Sequence, residues 1–187
     1  QGRLPSELLA KASKSQPSDT ASSPSDLYGD CLVGGNVQRG RELFFYRTQL
    51  SCLRCHKVGD NGGEVGPNLS DIGIKKDAAY LLEAIVDPNA RLAAGFETLI
   101  VQTDEGSVAS GILKSEDDEQ LRLLNAEGNI IEIAKESIDG IKKGQSSMPS
   151  DLMKYMNARE LRDLIAYLTS LDGKVIDSSA HGDSHGK

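Results

Sequence analysis

The chain has 187 residues, and its 28 Asp and Glu outnumber its 21 Lys and Arg, which gives a formal net charge of −7. This charge disfavours binding to nucleic acid or to anionic membranes, and it favours a partner whose surface is basic. No apolar run reaches the roughly eighteen residues of a transmembrane helix. The sequence shows no signal peptide and opens on Gln1, so we interpret it as a processed or excised piece of a longer polypeptide.

Residues 1–33 are predicted to be a mostly disordered linker, because most of them come from a stretch rich in Ser, Lys, Pro and Asp. They include Cys31. A lone cysteine in an oxidising compartment either is buried as a small apolar side chain or pairs between chains. Because Cys31 lies beside the linker, we expect an exposed thiol that can join two copies of the chain.

A first helix is predicted to begin after Asn36, which can cap it, and to lead to Cys52-Leu53-Arg54-Cys55-His56. At this C-x-x-C-H spacing two thiols can add to the vinyl groups of haem while the adjacent imidazole reaches the iron. The alternatives are a disulfide redox motif, half of a zinc site, and chance. A redox motif is expected in a βαβ pattern, which this sequence lacks. A zinc site needs a second Cys/His pair, and only Cys31, His181 and His185 remain for it. We therefore predict one covalent haem c on Cys52 and Cys55, with His56 as an iron ligand.

A loop and a second helix are predicted after the motif. Residues 59–69 contain four glycines and a Gly-Pro-Asn-Leu turn, which is typical of a loop. The helix is predicted from Asp77 to Val86, and Pro88 prevents it from continuing.

Between residues 96 and 142 the apolar period changes from 3.6 to 2, which indicates strands. The predicted strands are Phe96–Thr103, Ser107–Ser115, Glu119–Asn125, Asn129–Ala134 and Ile138–Lys142. Short antiparallel strands with Gly111 at a bend predict a small barrel-like module over residues 94–143. The pattern is similar to Sm-like or SH3-like barrels, but basic residues are few and stacking aromatics almost absent, so we do not expect RNA binding.

Three methionines are candidates for the second iron ligand. Met148 lies in the loop Ser146–Pro149, from which a thioether can be aimed at the iron. Met153 and Met156 have helix-like spacing and are more simply interpreted as packing residues. We therefore predict His56/Met148 ligation, a saturated pair suited to single-electron transfer.

A last helix is predicted from about Ala158 to Leu171, because Asn157 and Glu160 have the spacing of a capping box. Residues 173–187 are predicted to be a disordered tail, in preference to a metal site at its two histidines, His181 and His185. The acidic run Glu116–Glu119 has the charge to bind calcium, but we expect a solvated turn.

These motifs follow the order of a known family. Four of them resemble class I cytochromes c: Cys52–His56, Gly66–Leu69, Ser147–Pro149 and Glu160–Leu168. Three further segments resemble the haem-binding domain at the C-terminus of planctomycete membrane-associated or sugar-dehydrogenase-like proteins: Gly34–Phe44, Ile85–Ala90 and Gly95–Thr98. The resemblance implies that the Pro67 carbonyl orients the His56 ring. It also implies that Gly40 contacts Tyr167 where the first and last helices cross.

The expected fold class is α+β: an all-α class I cytochrome c fold over residues 34–93 and 144–172, with the antiparallel β-barrel-like module inserted at 94–143. The expected function is single-electron transfer by a monohaem c-type cytochrome. It would pass electrons from a dehydrogenase to a downstream acceptor such as another cytochrome, in the periplasm or another extracytoplasmic space.

An enzymatic activity of the chain itself is not expected, although it can be a domain of a larger dehydrogenase. The alternative is a haem enzyme or a diatomic-gas sensor with an open axial site. Homodimerisation through Cys31 or the β module is a further expectation, and neither nucleic acid nor a direct membrane span is expected.

Overall fold

The computed structural model describes residues 27–174. Most of the predicted linker and the predicted tail, with His181 and His185, therefore lie outside the described residues. Within residues 27–174, no helix combines the length and apolar character that crossing a membrane requires.

The helices begin where the sequence provides caps. The Asn36 side chain accepts a hydrogen bond from the Arg39 N–H, and the Asp77 side chain accepts one from the Tyr80 N–H. Asn157 and Glu160 form the predicted capping box. The helices are α1 (Val37–Tyr46), α2 (Cys52–Cys55), α3 (Ile72–Lys75), α4 (Ala78–Val86) and α5 (Ala158–Thr169), with short 3-10 turns at Gly29–Cys31, Lys135–Ser137 and Leu152–Lys154.

The strands form a small hairpin and a larger antiparallel sheet. The hairpin strands are β1 (Lys57–Val58) and β2 (Asn61–Gly62), and the sheet strands are β3 (Thr98–Thr103), β4 (Val108–Glu116), β5 (Gln120–Leu124), β6 (Ile130–Ala134) and β7 (Ile138–Lys143). The sheet order is β6-β5-β4-β3-β7. All five predicted strands are confirmed to within a few residues, because turn sequences separate segments of period 2.

The expected fold class is wrong. The described chain is a mixed α+β structure with a five-stranded antiparallel sheet, not an all-α cytochrome c fold that carries a separate barrel-like insertion. The sheet is open, since β6 and β7 are its two edges and are not neighbours. It also shares a core with the rest of the chain, because Ile112 and Leu124 pack with Val65 and Cys55.

Helices α1 and α5 cross at a close contact that glycine permits. A Cβ atom added to Gly40 would overlap the Asp163 carbonyl oxygen and would lie 2.7 Å from Cβ of Tyr167. The Phe44 and Tyr167 rings pack beside the crossing, with centroids 5.7 Å apart. The predicted contact between Gly40 and Tyr167 is therefore confirmed, and it anchors the segment that leads to the C-x-x-C-H motif.

Cys31 is part of this core. Its side chain is only 4% exposed, and Sγ lies 3.2 Å from the Ala158 carbonyl oxygen at the start of α5. The expectation of an exposed thiol is wrong, because the 3-10 turn at Gly29–Cys31 packs against α5 instead of extending the linker. The Cys31 sulfur is therefore not accessible for a disulfide between two copies of the chain.

Candidate cofactor site

The C-x-x-C-H motif forms a single helical turn, α2. Ser51, immediately before it, has a left-handed backbone with φ of 50°. This conformation is uncommon for residues other than glycine, and it turns the chain sharply into α2. The turn closes where the His56 N–H donates to the Cys52 carbonyl at 2.9 Å. Cys52 and Cys55 thus lie at the two ends of one turn, and His56 follows in extended conformation.

The glycine-rich segment 59–69 folds back over the motif. The Gly63 N–H donates to the Leu53 carbonyl at 2.9 Å, and the Gly66 N–H donates to the Cys55 carbonyl at 2.7 Å. These bonds satisfy carbonyls that a short helix leaves without partners. They also bring the Gly-Pro-Asn-Leu sequence beside the His56 ring.

The His56 imidazole is held by its neighbours. Nδ1 lies 2.9 Å from the Pro67 carbonyl oxygen, so a proton on Nδ1 leaves the lone pair of Nε2 free. Burial lowers the pKa of His56, and the bond to Pro67 partly opposes this effect. A Cβ atom added to Gly66 would lie 2.7 Å from Cε1 of the ring. The neutral ring is thus oriented as second-shell carbonyls orient metal-binding histidines.

A cavity of about 570 Å³, including its part open to solvent, brings the predicted site residues together. Cys52, Cys55, His56, Pro67 and Met148 all line it. Most of the other lining side chains are apolar. They are Leu50, Val65, Phe96, Ile112, Pro149 and Leu152, with Ser51, Gly66, Ser146 and Ser147 completing the wall.

The two motif thiols are in an environment that favours their neutral form. Burial raises the pKa of Cys52 to about 11 and also raises the pKa of Cys55. Disulfide redox motifs have a lowered thiol pKa. The Cys52 and Cys55 thiols therefore lack the lowered pKa that would support a disulfide redox motif.

The structure separates the three methionines. Met148 lies at the cavity, in the loop before α5. Met156 is buried in the core of the helices, and both Met148 and Met153 are partly buried against that core. Neither Met153 nor Met156 lines the cavity. The packing interpretation of Met153 and Met156 is confirmed.

The residues at this cavity fit a haem group. They offer two thiols at the ends of one turn, an imidazole with a free Nε2 and a thioether, together with an apolar wall. Because residue 66 is a glycine, the His56 ring can occupy space that a Cβ atom would otherwise fill. A porphyrin needs this combination of attachment points, axial donors and apolar contacts.

The acidic run Glu116–Glu119, which was considered as a calcium site, forms a turn held by ion pairs. The Asp117 side chain accepts hydrogen bonds from the Gln120 N–H at 2.8 Å and from Arg122 at 2.9 Å, and these lower its pKa. Lys135 pairs with Glu116 at 2.6 Å. Residues 117–119 are exposed and lie between β4 and β5. In residues 27–174, no three His, Cys, Asp or Glu side chains form a group that could hold a metal ion.

Several residues of the cavity wall were not predicted, and two of them come from the sheet region. Phe96 and Ile112 belong to the sheet region, where period 2 indicates strands and faces but does not tell which face meets another part of the chain. The only available signal was the apolar character of Ile112 beside Gly111.

No protein-family model matches the chain, and no curated protein matches it significantly.

Proposed function

We propose that this chain is a monohaem c-type cytochrome that transfers single electrons. The proposal depends on one observation: Cys52, Cys55, His56 and Met148 line the same largely apolar cavity. The motifs Gly34–Phe44, Ile85–Ala90 and Gly95–Thr98 support a proposed kinship with the planctomycete-type haem-binding domains. On this proposal the chain has no enzymatic activity of its own, and it acts in the periplasm or another extracytoplasmic space, where haem c is attached.

Each residue has a distinct role in this proposal. Cys52 and Cys55 would hold the haem covalently, and His56 and Met148 would ligate its iron. The Pro67 carbonyl fixes the His56 ring and increases its basicity. When bound, haem supplies a one-electron iron couple whose potential Met ligation raises.

The apolar wall contributes by excluding water. Leu50, Val65 and Leu152 are buried and line the cavity together with Phe96 and Ile112. A site of low polarity disfavours the more highly charged oxidised state, so it also raises the potential. The proposed electron donor is a dehydrogenase, the acceptor is another redox protein such as a cytochrome, and the net charge of −7 favours a basic partner surface.

Absorption spectroscopy tests the proposal on protein produced in a host that attaches haem c. We expect covalent haem, a low-spin spectrum with the weak long-wavelength band of Met-to-iron(III) ligation, and no carbon monoxide binding after reduction. Met148→Ala should lose the band and gain carbon monoxide binding. Met153→Ala is the matched control and should keep the wild-type spectrum.

Two outcomes contradict the proposal. A chain without covalent haem refutes it entirely. A high-spin wild-type spectrum that responds to carbon monoxide and does not change in Met148→Ala would refute Met148 ligation, and it would favour the haem enzyme or gas sensor.

A further inference from the structure

Thr98, the first residue of strand β3, is hydrogen-bonded to the segment that carries Met148. Thr98 is a buried polar residue, only 7% exposed. Its Oγ1 lies 3.2 Å from Oγ of Ser147, and its carbonyl oxygen accepts a hydrogen bond from the Gly144 N–H at 2.8 Å. Buried polar groups are costly without partners, and here both partners of Thr98 lie within four residues of Met148.

A second set of bonds holds the same loop from the segment after α4. The Asn89 side-chain oxygen accepts a hydrogen bond from the Ser146 N–H at 2.9 Å. The hydroxyl oxygen of Ser146 in turn accepts one from the Met148 N–H at 3.2 Å. Asn89, in the segment before the sheet, and Thr98, at the start of β3, therefore both hold the loop that carries Met148.

The sheet also supplies part of the cavity wall. Ile112 on β4 pairs directly with Thr98 on β3, so the two side chains lie on the same face of the sheet. Ile112 is 1% exposed and lines the cavity, as does Phe96 just before β3. Both pack in one cluster with Cys55. This face of the sheet covers the cavity beside the second cysteine.

We propose that the β sheet is an integral part of the haem site. Ile112 and Phe96 form one wall against the haem, and Thr98 is a positioning residue that keeps the Met148 loop within reach of the iron. This inference rests on the proposed function, since it assumes that haem occupies the cavity. It assigns the sheet a role in ligation and in excluding water, in addition to any contact with partners.

Competition by free imidazole tests the role of Thr98. Imidazole binds the oxidised iron only when Met148 has left, so its apparent affinity reports the fraction of displaced Met148. Thr98→Val keeps the shape of the side chain and removes the hydroxyl group. We expect imidazole to bind about fivefold more tightly, the effect of losing one hydrogen bond.

A double-mutant cycle isolates this hydrogen bond. Ser147→Ala should give the same change as Thr98→Val, and the double variant should add little to either single variant. Thr103→Val is the matched control, because Thr103 lies on the same strand and its hydroxyl contacts Ser107 at the far end. Unchanged imidazole affinity in Thr98→Val and Ser147→Ala, or an equal change in Thr103→Val, would overturn the positioning role.

The midpoint potential tests the wall. Ile112→Ala should admit water beside the haem and lower the potential. Leu123→Ala is the control, because Leu123 is equally buried but packs in the core cluster on the other face of the sheet. Equal potentials in Ile112→Ala and wild type would refute the wall. If the wild type itself lacks Met ligation, the proposed function fails; if only the variants fail to respond, the inference fails alone.

Discussion

At the scale of single residues, the space around His56 depends on Gly66. Its backbone lies so close to the imidazole that an added Cβ atom would be 2.7 Å from Cε1 and 2.8 Å from Nδ1. The ring cannot yield easily, because Nδ1 is engaged with the Pro67 carbonyl at 2.9 Å. Any side chain at position 66 therefore competes with the orientation of the ring.

Gly66→Ala is expected to displace the His56 ring and weaken its bond to Pro67, because atoms in the interior cannot overlap without moving. In protein with attached haem, the result should be a larger high-spin fraction, which optical spectra measure. Gly140→Ala is the control, since no atom lies within 4 Å of a Cβ added there. A wild-type spectrum in Gly66→Ala would show that the ring has more room than the structure indicates.

The chemistry-bearing residues of the site could be predicted from the sequence, while their surroundings could not. Cys52, Cys55 and His56 are adjacent in the chain, so one helical turn is enough to bring them together. The bond from His56 to Pro67 spans eleven residues and was predicted only from the family resemblance. Thr98 and Ile112 reach the site through the packing of the sheet on the motif, and local periodicity contains no information about such contacts.

At the scale of elements, Asp163 on α5 joins the last helix to the start of α1. Its side chain accepts hydrogen bonds from the Asn36 N–H and from Nε of Arg39, both at 2.7 Å. The carboxylate is almost completely buried, while half of the Arg39 side chain is exposed. The bond to Arg39 and the bond to Asn36 lower the pKa of Asp163, against the effect of burial.

Asp163→Asn is expected to lower the free energy of unfolding by about 2 kcal/mol at neutral pH, because it weakens two bonds to a charged acceptor. A lowered folded-state pKa means that this contribution is complete above about pH 4, the ordinary pKa of Asp. It is lost as the pH falls through the lowered pKa of the folded state. Urea unfolding at several pH values should therefore show the two proteins converging in acid.

Asp151→Asn is the matched control for that experiment. Asp151 pairs with Lys154 at 3.4 Å, and both side chains are exposed. Removing a pair of this kind changes stability by well under about 1 kcal/mol. A gap between wild type and Asp163→Asn that stays constant down to pH 2 would contradict the assigned role of the carboxylate.

The elements themselves were predictable to different degrees. Caps at Asn36 and Asn157 and the stop at Pro88 helped to define three helices, and period 2 defined the strands of the sheet. The short helix Ile72–Lys75 and the hairpin β1–β2 have too few residues to show a period. Cys31 was misplaced because its burial depends on a contact with Ala158, which is distant in the chain. Barrel closure was also wrongly expected, since strand patterns do not reveal whether the two edges pair.

At the scale of the whole molecule, the helices and the sheet share a buried cluster. Val65 in the loop after the motif, Ile112 on β4 and Leu124 on β5 pack together, with Cys55 and Phe96 beside them. The sheet has a second cluster of its own on the opposite face, formed by Val101, Leu121, Leu123 and Ile133. Because the first cluster contains residues from both parts, neither part can unfold without exposing apolar surface of the other.

We therefore expect the sheet and the haem-bearing part to unfold in one cooperative transition. Ile112→Ala should lower stability by about 3 kcal/mol, the usual cost of such a cavity. The loss should be equal when measured by haem absorbance and by amide hydrogen exchange of the sheet strands. Ile130 has a half-exposed side chain on edge strand β6. Ile130→Ala should therefore change the stability measured by either method by less than about 0.5 kcal/mol. If the haem transition of Ile112→Ala matched wild type while sheet exchange accelerated, the two parts would be independent, and the sheet would not belong to the haem site.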